Sequence, residues 1–160
     1  MRIQDVLRSK GAAVHTIRPQ ASVTDLLESL AQHNVGALVV SAEDGLDELS
    51  ISSPTRVVEV ADGSTKEWFV APADVGLAET PLEEIAGGSP EENAAVVEAV
   101  LDGGEGPARD VVVLNAGAAI LVGSSATDLG DGMDRAREAI DRGAAKGVLD
   151  KLRSLASASG

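Results

Sequence analysis

The chain has 160 residues, 44% of them hydrophobic, which is enough for one compact domain with a real core. Its formal net charge of −13 argues against nucleic acid and anionic membrane surfaces as partners, because both would repel it. The absence of cysteine excludes disulfides and thiolate metal sites. With no apolar signal segment at its start and no apolar run near about 20 residues, a cytoplasmic location is expected.

The first third of the chain predicts a strand, a helix and a second strand. Residues 14–17 form a short strand-like run, and Ser22 with Asp25 three positions later is typical of a capped helix start. The apolar run at residues 35–40 is typical of a strand buried on both faces. We therefore expect a parallel strand-helix-strand unit over residues 14–40. The loop after it lies where ligands usually bind in open α/β sheets.

The next segment predicts an antiparallel hairpin. Residues 55–60 and 66–70 have strand character, and the Asp62-Gly63 pair between them is a strong turn signal. Aromatic residues make up only 1% of the chain. We expect the two in the second hairpin strand, Trp68 and Phe69, to cover a neighbouring apolar face.

The remainder of the chain predicts helices. Ser89 followed by Pro90 indicates a capped helix start, and the apolar character of residues 111–122 on nearly all sides places a second helix in the core. A strand over residues 111–114 is the competing interpretation, but the following alanines favour a helix. The predicted helical segments are 82–85, 90–101, 107–122, 131–142 and 145–156.

These elements together predict an α/β fold. We expect a partial, mostly parallel sheet with a β-hairpin at its side and the C-terminal helices packed on it. A sheet truncated in this way exposes apolar surface, so we also expect the chain to self-associate.

From about residue 37 to 160 the sequence resembles the C-terminal part of anthranilate phosphoribosyltransferase, the tryptophan-pathway enzyme. The order and spacing of several segments carry this resemblance. They are Ala37-Leu38-Val39-Val40, the segment from Asp44 to Ser50, Pro54-Thr55-Arg56-Val57, the segment from Gly87 to Ala94, Gly106-Pro107-Ala108-Arg109-Asp110-Val111 and Leu114-Asn115-Ala116. The resemblance implies a truncated phosphoribosyltransferase or nucleoside-phosphorylase-like fold.

The resemblance also implies a metal site. Asp47 and Glu48 match the acidic pair that, in this family, helps to hold Mg²⁺ beside the diphosphate of phosphoribosyl pyrophosphate (PRPP). In the family the phosphates are held by a Gly-Thr-Gly-Gly-Asp loop and a Lys-His-Gly-Asn-Arg segment, and neither string occurs in this sequence. We therefore expect the isolated chain to be catalytically inactive, and no catalytic residue is assigned.

The first 45 residues instead resemble the opening of a CBS domain, the regulatory module named after cystathionine beta-synthase. The matching segments are Ile3-Gln4-Asp5-Val6-Leu7, Lys10-Gly11, Val14 to Pro19, Ser22-Val23, Leu26-Leu27, His33 to Val40 and Asp44-Gly45. The two resemblances overlap, so the sequence suggests a chimera of residues 1–45 and 37–160 in one compact domain. Two alternatives follow, an adenine-nucleotide-binding regulatory module and an engineered chimeric scaffold without activity.

A glycine-rich run and several polar side chains are expected to have structural rather than chemical roles. The Gly103-Gly104-Glu105-Gly106 run lies between two predicted helices with no strand before it, so a connection is favoured over a phosphate loop. The histidines and serines lack a catalytic constellation, and the arginines are expected in salt bridges or helix starts. These residues are His15, His33, Ser50, Ser52, Ser53, Arg56 and Arg109.

Overall fold

The computed structural model describes residues 16–33, 35–123 and 125–157, and its elements are labelled here in chain order. Five α-helices and three strands are present in this part of the chain. They are α1 (Val23–Gln32), β1 (Ala37–Ala42), β2 (Thr55–Ala61), β3 (Ser64–Val70), α2 (Pro90–Leu101), α3 (Pro107–Val122), α4 (Leu129–Asp141) and α5 (Ala144–Ser157). Two 3₁₀ helices, Pro72–Val75 and Leu82–Ile85, join the sheet to α2.

The sheet has the order β1-β2-β3, and both pairings are antiparallel. The prediction of a mostly parallel sheet is therefore wrong for the described residues. Of the predicted strand at 14–17, Val14 and His15 lie outside the described residues, while Thr16 and Ile17 belong to no strand. The chain leaves β1 through a 12-residue loop that turns it back along the same sheet, so β1 meets its next strand in the opposite direction.

The hairpin prediction is confirmed. Asp62 and Gly63 have φ values of 50° and 70°, as a two-residue turn that follows the right-handed twist of the strands requires. Trp68 is partly buried against the core and donates its Nε1–H to Glu59 at 3.1 Å. Phe69 points to the other face and is 59% exposed, so the expectation that both aromatic side chains cover apolar surface is wrong for Phe69.

The helix starts are set by local chemistry. Ser22 and Asp25 form the expected reciprocal capping box at α1, and Ser89 and Glu92 form another at α2. The α3 segment is a helix throughout, which excludes the competing strand interpretation. The predicted helices near the end of the chain are also present, and Gly143, with φ 71°, separates α4 from α5.

The core lies between one face of the sheet and the helix pair α3 and α4. The largest fully buried side chains come from the loop after β1, from the strands and from these two helices. They are Leu49, Ile51, Thr55, Val57, Val60, Val113, Leu114 and Met133. None of the described helices combines the length and the apolar character needed to cross a membrane.

Candidate functional site

The loop between β1 and β2 presents Asp47 and Glu48 at the surface. Both acidic residues are exposed, whereas Leu49 and Ile51, directly after them, are 1% and 0% exposed. Two adjacent carboxylates therefore lie in solvent on a backbone that the residues directly after them anchor in the core. Both carboxylates are thus accessible from solvent.

A partly buried hydrogen-bond network holds the start of the loop. The Ser50 hydroxyl donates to Asp44 at 2.5 Å, and the Leu46 N–H donates to the same carboxylate at 3.0 Å. The Ser53 hydroxyl accepts the Asp44 N–H at 3.1 Å, and Ser50 Oγ also accepts the Ser52 N–H at 2.9 Å. Ser50, Ser52 and Ser53 therefore brace the loop, in agreement with the structural role expected for them.

Burial of the Asp44 carboxyl by itself would raise its pKa, but hydrogen bonds from Ser50 and Leu46 outweigh that effect and hold the pKa below its ordinary value. Asp44 is therefore ionised at neutral pH. Its charge strengthens the hydrogen bonds that it accepts, which ties both sides of the loop together.

We expect Asp44→Asn to lower the free energy of unfolding by about 1–2 kcal/mol at neutral pH, because the loop loses charge-assisted hydrogen bonds. The pKa of Asp44 is lowered on folding, so its contribution is complete above the ordinary aspartate value of about 4 and is lost as the pH falls through the folded value. The stability difference between the unmodified chain and the variant should shrink on acidification. Urea unfolding from neutral pH to about pH 3 measures this difference.

Glu43→Gln is the matched control, because Glu43 is exposed in the same loop and only its backbone N–H is bound, to the carbonyl oxygen of Pro54. It should change stability by less than about 0.5 kcal/mol. A difference for Asp44→Asn that stays constant with pH would contradict a role for its charge.

Asn115 on α3 clamps the far end of the loop. Its Oδ1 accepts the Leu49 N–H at 3.0 Å, and its Nδ2 donates to the Leu49 carbonyl oxygen at 2.9 Å and to the Val111 carbonyl oxygen at 3.0 Å. A single side chain thus satisfies both backbone groups of the residue that follows Glu48. Sequence reasoning did not identify this role, because the partners are 66 positions apart.

Asp47 and Glu48 have no third candidate metal ligand grouped with them in the described part of the chain. No group of three or more histidine, cysteine, aspartate or glutamate side chains is arranged to hold a metal ion there. A cation at Asp47 and Glu48 would thus take its remaining ligands from water or from a bound phosphate, which is the usual way in which proteins bind Mg²⁺.

The two arginines have the structural roles expected from the sequence. Arg56 forms a bidentate pair with Glu67 across the hairpin, at 2.8 and 2.9 Å. Arg109, in the first turn of α3, is 6% exposed and donates to Asp141 at 2.6 Å, which joins α3 to the end of α4. Neither side chain lies in the loop that carries the acidic pair.

The remaining candidate residues are also outside the loop. Nδ1 of His33 lies 2.8 Å from the Ser29 carbonyl oxygen at the end of α1, and His15 lies outside the described residues. The glycine-rich run at residues 103–106 connects α2 to α3, as expected. Gly103 and Gly106 adopt φ values of 88° and 119° there, which are conformations that favour glycine.

The fold resembles solved anthranilate phosphoribosyltransferases. The enzyme from Thermus thermophilus matches 80% of this chain and 38% of its own chain, with a TM-score of 0.71 and 39% identity. The enzyme from Saccharomyces cerevisiae in complex with PRPP and Mg matches 72% of this chain and 33% of its own, with a TM-score of 0.65 and 26% identity.

Curated relatives give the same result at the level of sequence. Anthranilate phosphoribosyltransferase from Thermomicrobium roseum is 48% identical over 125 residues, which are 76% of this chain and 36% of the relative. The protein of the same name from Symbiobacterium thermophilum is 48% identical over 134 residues, 81% of this chain and 39% of the relative. The chain thus spans little more than a third of the length of these relatives.

One family covers both halves of the supposed chimera. The sequence profile of the glycosyl transferase family, a/b domain, matches residues 12–146. Most of the segment that resembles a CBS domain lies inside this match, so the comparisons give no support to a CBS part or to a join between two families. The chain is homologous to anthranilate phosphoribosyltransferases and belongs to the glycosyl transferase family, whose α/β domain it matches.

Proposed function

We propose that this chain corresponds to the C-terminal part of an anthranilate phosphoribosyltransferase and supplies the carboxylates that hold Mg²⁺ beside the diphosphate of PRPP. The observation that carries the proposal is the braced loop with Asp47 and Glu48 side by side in solvent. The solved relative in complex with PRPP and Mg supports the same assignment.

The donor set fits this ion. Mg²⁺ prefers hard oxygen ligands, keeps several waters and binds one or two carboxylates together with substrate phosphates. Asp47 and Glu48 would hold it, and the ion would supply positive charge against a diphosphate. Asp44, Ser50 and Asn115 do not touch the ion in this proposal. They position the backbone that carries the two carboxylates.

We further propose that the isolated chain does not transfer a phosphoribosyl group. Stabilisation of the departing diphosphate is usually the largest catalytic contribution, and it needs backbone amides and cations around the phosphates. Arg56 on the sheet and Arg109 on α3 each form an ion pair with an acidic side chain of this chain, so neither is free to bind a phosphate. The phosphate-binding strings of the family are absent from these 160 residues.

The test measures metal binding and catalytic turnover on the same samples, and we expect the first without the second. Titration with Mn²⁺, a paramagnetic substitute for Mg²⁺, should broaden the backbone amide NMR signals of residues 46–49 first. The variants Asp47→Asn and Glu48→Gln should each weaken this binding about tenfold or more, because the described residues offer the pair no third protein ligand. The same samples with anthranilate, PRPP and Mg²⁺ should form no product.

Glu43→Gln is again the control, since it removes an exposed carboxylate from the same loop and should leave the titration unchanged. Broadening that is centred elsewhere, or that survives both substitutions in the acidic pair, would rule out the metal site. Robust turnover would overturn the proposal of inactivity and leave the metal assignment standing.

We also propose that the chain self-associates. Ten large hydrophobic side chains of the described residues are substantially exposed, among them Val35 beside β1 and Val23 on α1. Apolar surface of this extent on a small domain favours association. A monomeric mass in light scattering at high concentration would contradict this proposal.

A further inference from the structure

An aspartate is directly followed by glycine at four places in the chain. In such a pair the side-chain carboxyl group of the aspartate reacts with the backbone nitrogen of the next residue, since glycine has no Cβ atom to hinder the approach. The reaction needs a carboxyl group that is free to rotate and a backbone N–H that no acceptor holds. The four pairs are Asp44-Gly45, Asp62-Gly63, Asp102-Gly103 and Asp131-Gly132.

The fold restrains three of these pairs at both reacting groups. Gly45, Gly103 and Gly132 each donate the backbone N–H to a carbonyl oxygen three or four residues earlier, at 3.0 or 3.1 Å. The aspartate side chains of the same pairs are bound as well. Their partners are Ser50 and the Leu46 N–H for Asp44, Lys146 for Asp102, and Arg135 and the Thr127 N–H for Asp131. These three pairs react only when the local structure opens.

The pair at the tip of the β2–β3 hairpin is not restrained in this way. Asp62 and Gly63 are the two exposed central residues of the turn, between the paired residues Ala61 and Ser64. The Gly63 N–H donates to no acceptor within residues 16–33, 35–123 and 125–157. The Asp62 side chain has neither a hydrogen bond nor an ion pair with any described residue. Both reacting groups are therefore available without any opening of the fold.

We propose that Asp62 is a site of spontaneous isomerisation to isoaspartate in the folded chain. The Gly63 nitrogen attacks the protonated Asp62 carboxyl group, so that an N–Cγ bond forms, the Cγ–OH bond breaks and one water leaves with the amide proton. A second water then opens the resulting succinimide ring. Opening at Cγ restores aspartate, whereas opening at the main-chain carbonyl carbon leaves the chain linked through Cγ. No oxidant or reductant takes part.

Isomerisation changes the length of the hairpin turn. The chain then runs through Cβ and Cγ of residue 62, which adds one carbon to the backbone between Ala61 and Ser64. A two-residue turn fixes the register of the strands that it joins, and here it sets these two residues opposite each other. The modified chain should therefore lose pairing between β2 and β3 beside the turn, and keep it at the Thr55–Val70 end of the hairpin.

The test follows all four pairs in one sample, because trypsin places each pair in a separate peptide. The peptides are residues 11–56, 57–66, 67–109 and 110–135. The folded chain is incubated at mildly acidic pH and digested. Mass spectrometry then detects the succinimide, which is lighter by one water, and chromatography separates isoaspartyl from aspartyl peptides. Peptide 57–66 should accumulate isoaspartate about tenfold or more faster than each of the others, which depend on local opening.

The matched control is the same chain unfolded in guanidinium chloride. The hydrogen bonds that protect three of the pairs are absent there, so all four peptides should accumulate isoaspartate at similar rates. This comparison separates the effect of the fold from that of the sequence motif.

Asp62→Asn is a variant that keeps the turn, because Asn-Gly suits the same two-residue hairpin. Its side-chain amide forms the same succinimide with loss of ammonia in place of water. The reaction should be faster than for aspartate at neutral pH, since it does not require a protonated carboxyl group. Amide exchange of the aged samples is a second measurement, and it should be faster in β2 and β3 beside the turn only.

Two results would overturn the proposal. Equal rates at the four pairs of the folded chain would show that the backbone hydrogen bonds do not select the site. A rate at Asp62 that folding slows as much as it slows the other three would show that the turn protects this pair. Selective conversion of peptide 57–66 in the folded chain, with similar rates for all peptides in guanidinium chloride, is the supporting result. The metal titration at Asp47 and Glu48 is independent of each outcome.

Discussion

Gly117→Ala should lower the free energy of unfolding by about 2 kcal/mol or more, because α3 and α4 touch backbone to backbone at this glycine. A Cβ atom at Gly117 would lie 2.7 Å from the backbone nitrogen of Met133 and 2.9 Å from its Cα. These are main-chain atoms that no rotamer change can move. The two helices would have to separate, and the buried contacts of Met133 would loosen with them.

The reciprocal variant tests the same crossing from the other helix. A Cβ atom at Gly132 would lie 2.3 Å from the carbonyl oxygen of Gly117, so Gly132→Ala should destabilise the fold to a similar degree. Urea and thermal unfolding measure both variants.

Gly147→Ala is the matched control for this pair, because it makes the same change inside helix α5, where an added Cβ meets nothing within 4 Å. The better helix propensity of alanine should stabilise the chain by about 0.5–1 kcal/mol. If Gly117→Ala behaved like Gly147→Ala, the close approach of the two helices would be refuted.

Asn115→Ala should cost about 2–3 kcal/mol of stability, because it removes the partners of both the Leu49 N–H and the Leu49 carbonyl oxygen. Leu49 is 1% exposed, so water can replace the lost amide only if the loop opens. The variant should speed amide exchange at Leu49. It should also weaken Mn²⁺ binding at Asp47 and Glu48, although Asn115 is not proposed to touch the ion.

Asn93→Ala provides a control with the same hydrogen-bond geometry. Asn93 accepts the Gly88 N–H at 2.8 Å and donates to the Gly88 carbonyl oxygen at 3.2 Å, but both residues are exposed, so water can take over the bonds. It should cost less than about 1 kcal/mol and leave metal binding unchanged. Equal losses of stability for Asn115→Ala and Asn93→Ala would show that the burial of Leu49 does not increase the cost of breaking these hydrogen bonds.

The acidic pair and the loop that follows β1 were identifiable from the sequence, but the hydrogen bonds that hold this loop in place were not. The match of Asp47 and Glu48 depends on residue order within one short segment. A structural role was expected for Ser50, but its bond to Asp44 was not, although both lie in that segment, because the bond depends on the conformation of the folded loop. Arg109 illustrates a similar case, since its partner Asp141 is on another helix.

The sequence by itself determined the elements whose causes are local. The capping boxes at Ser22 and Ser89 and the turn at Asp62-Gly63 each act over two to four residues. The starts of the two helices and the position of the hairpin turn therefore follow from neighbouring residues. Only the tertiary structure decided the direction of β1 against β2 and the Asn115 clamp. It also decided the Gly117–Gly132 crossing, because these depend on contacts between segments that meet only after the chain has folded.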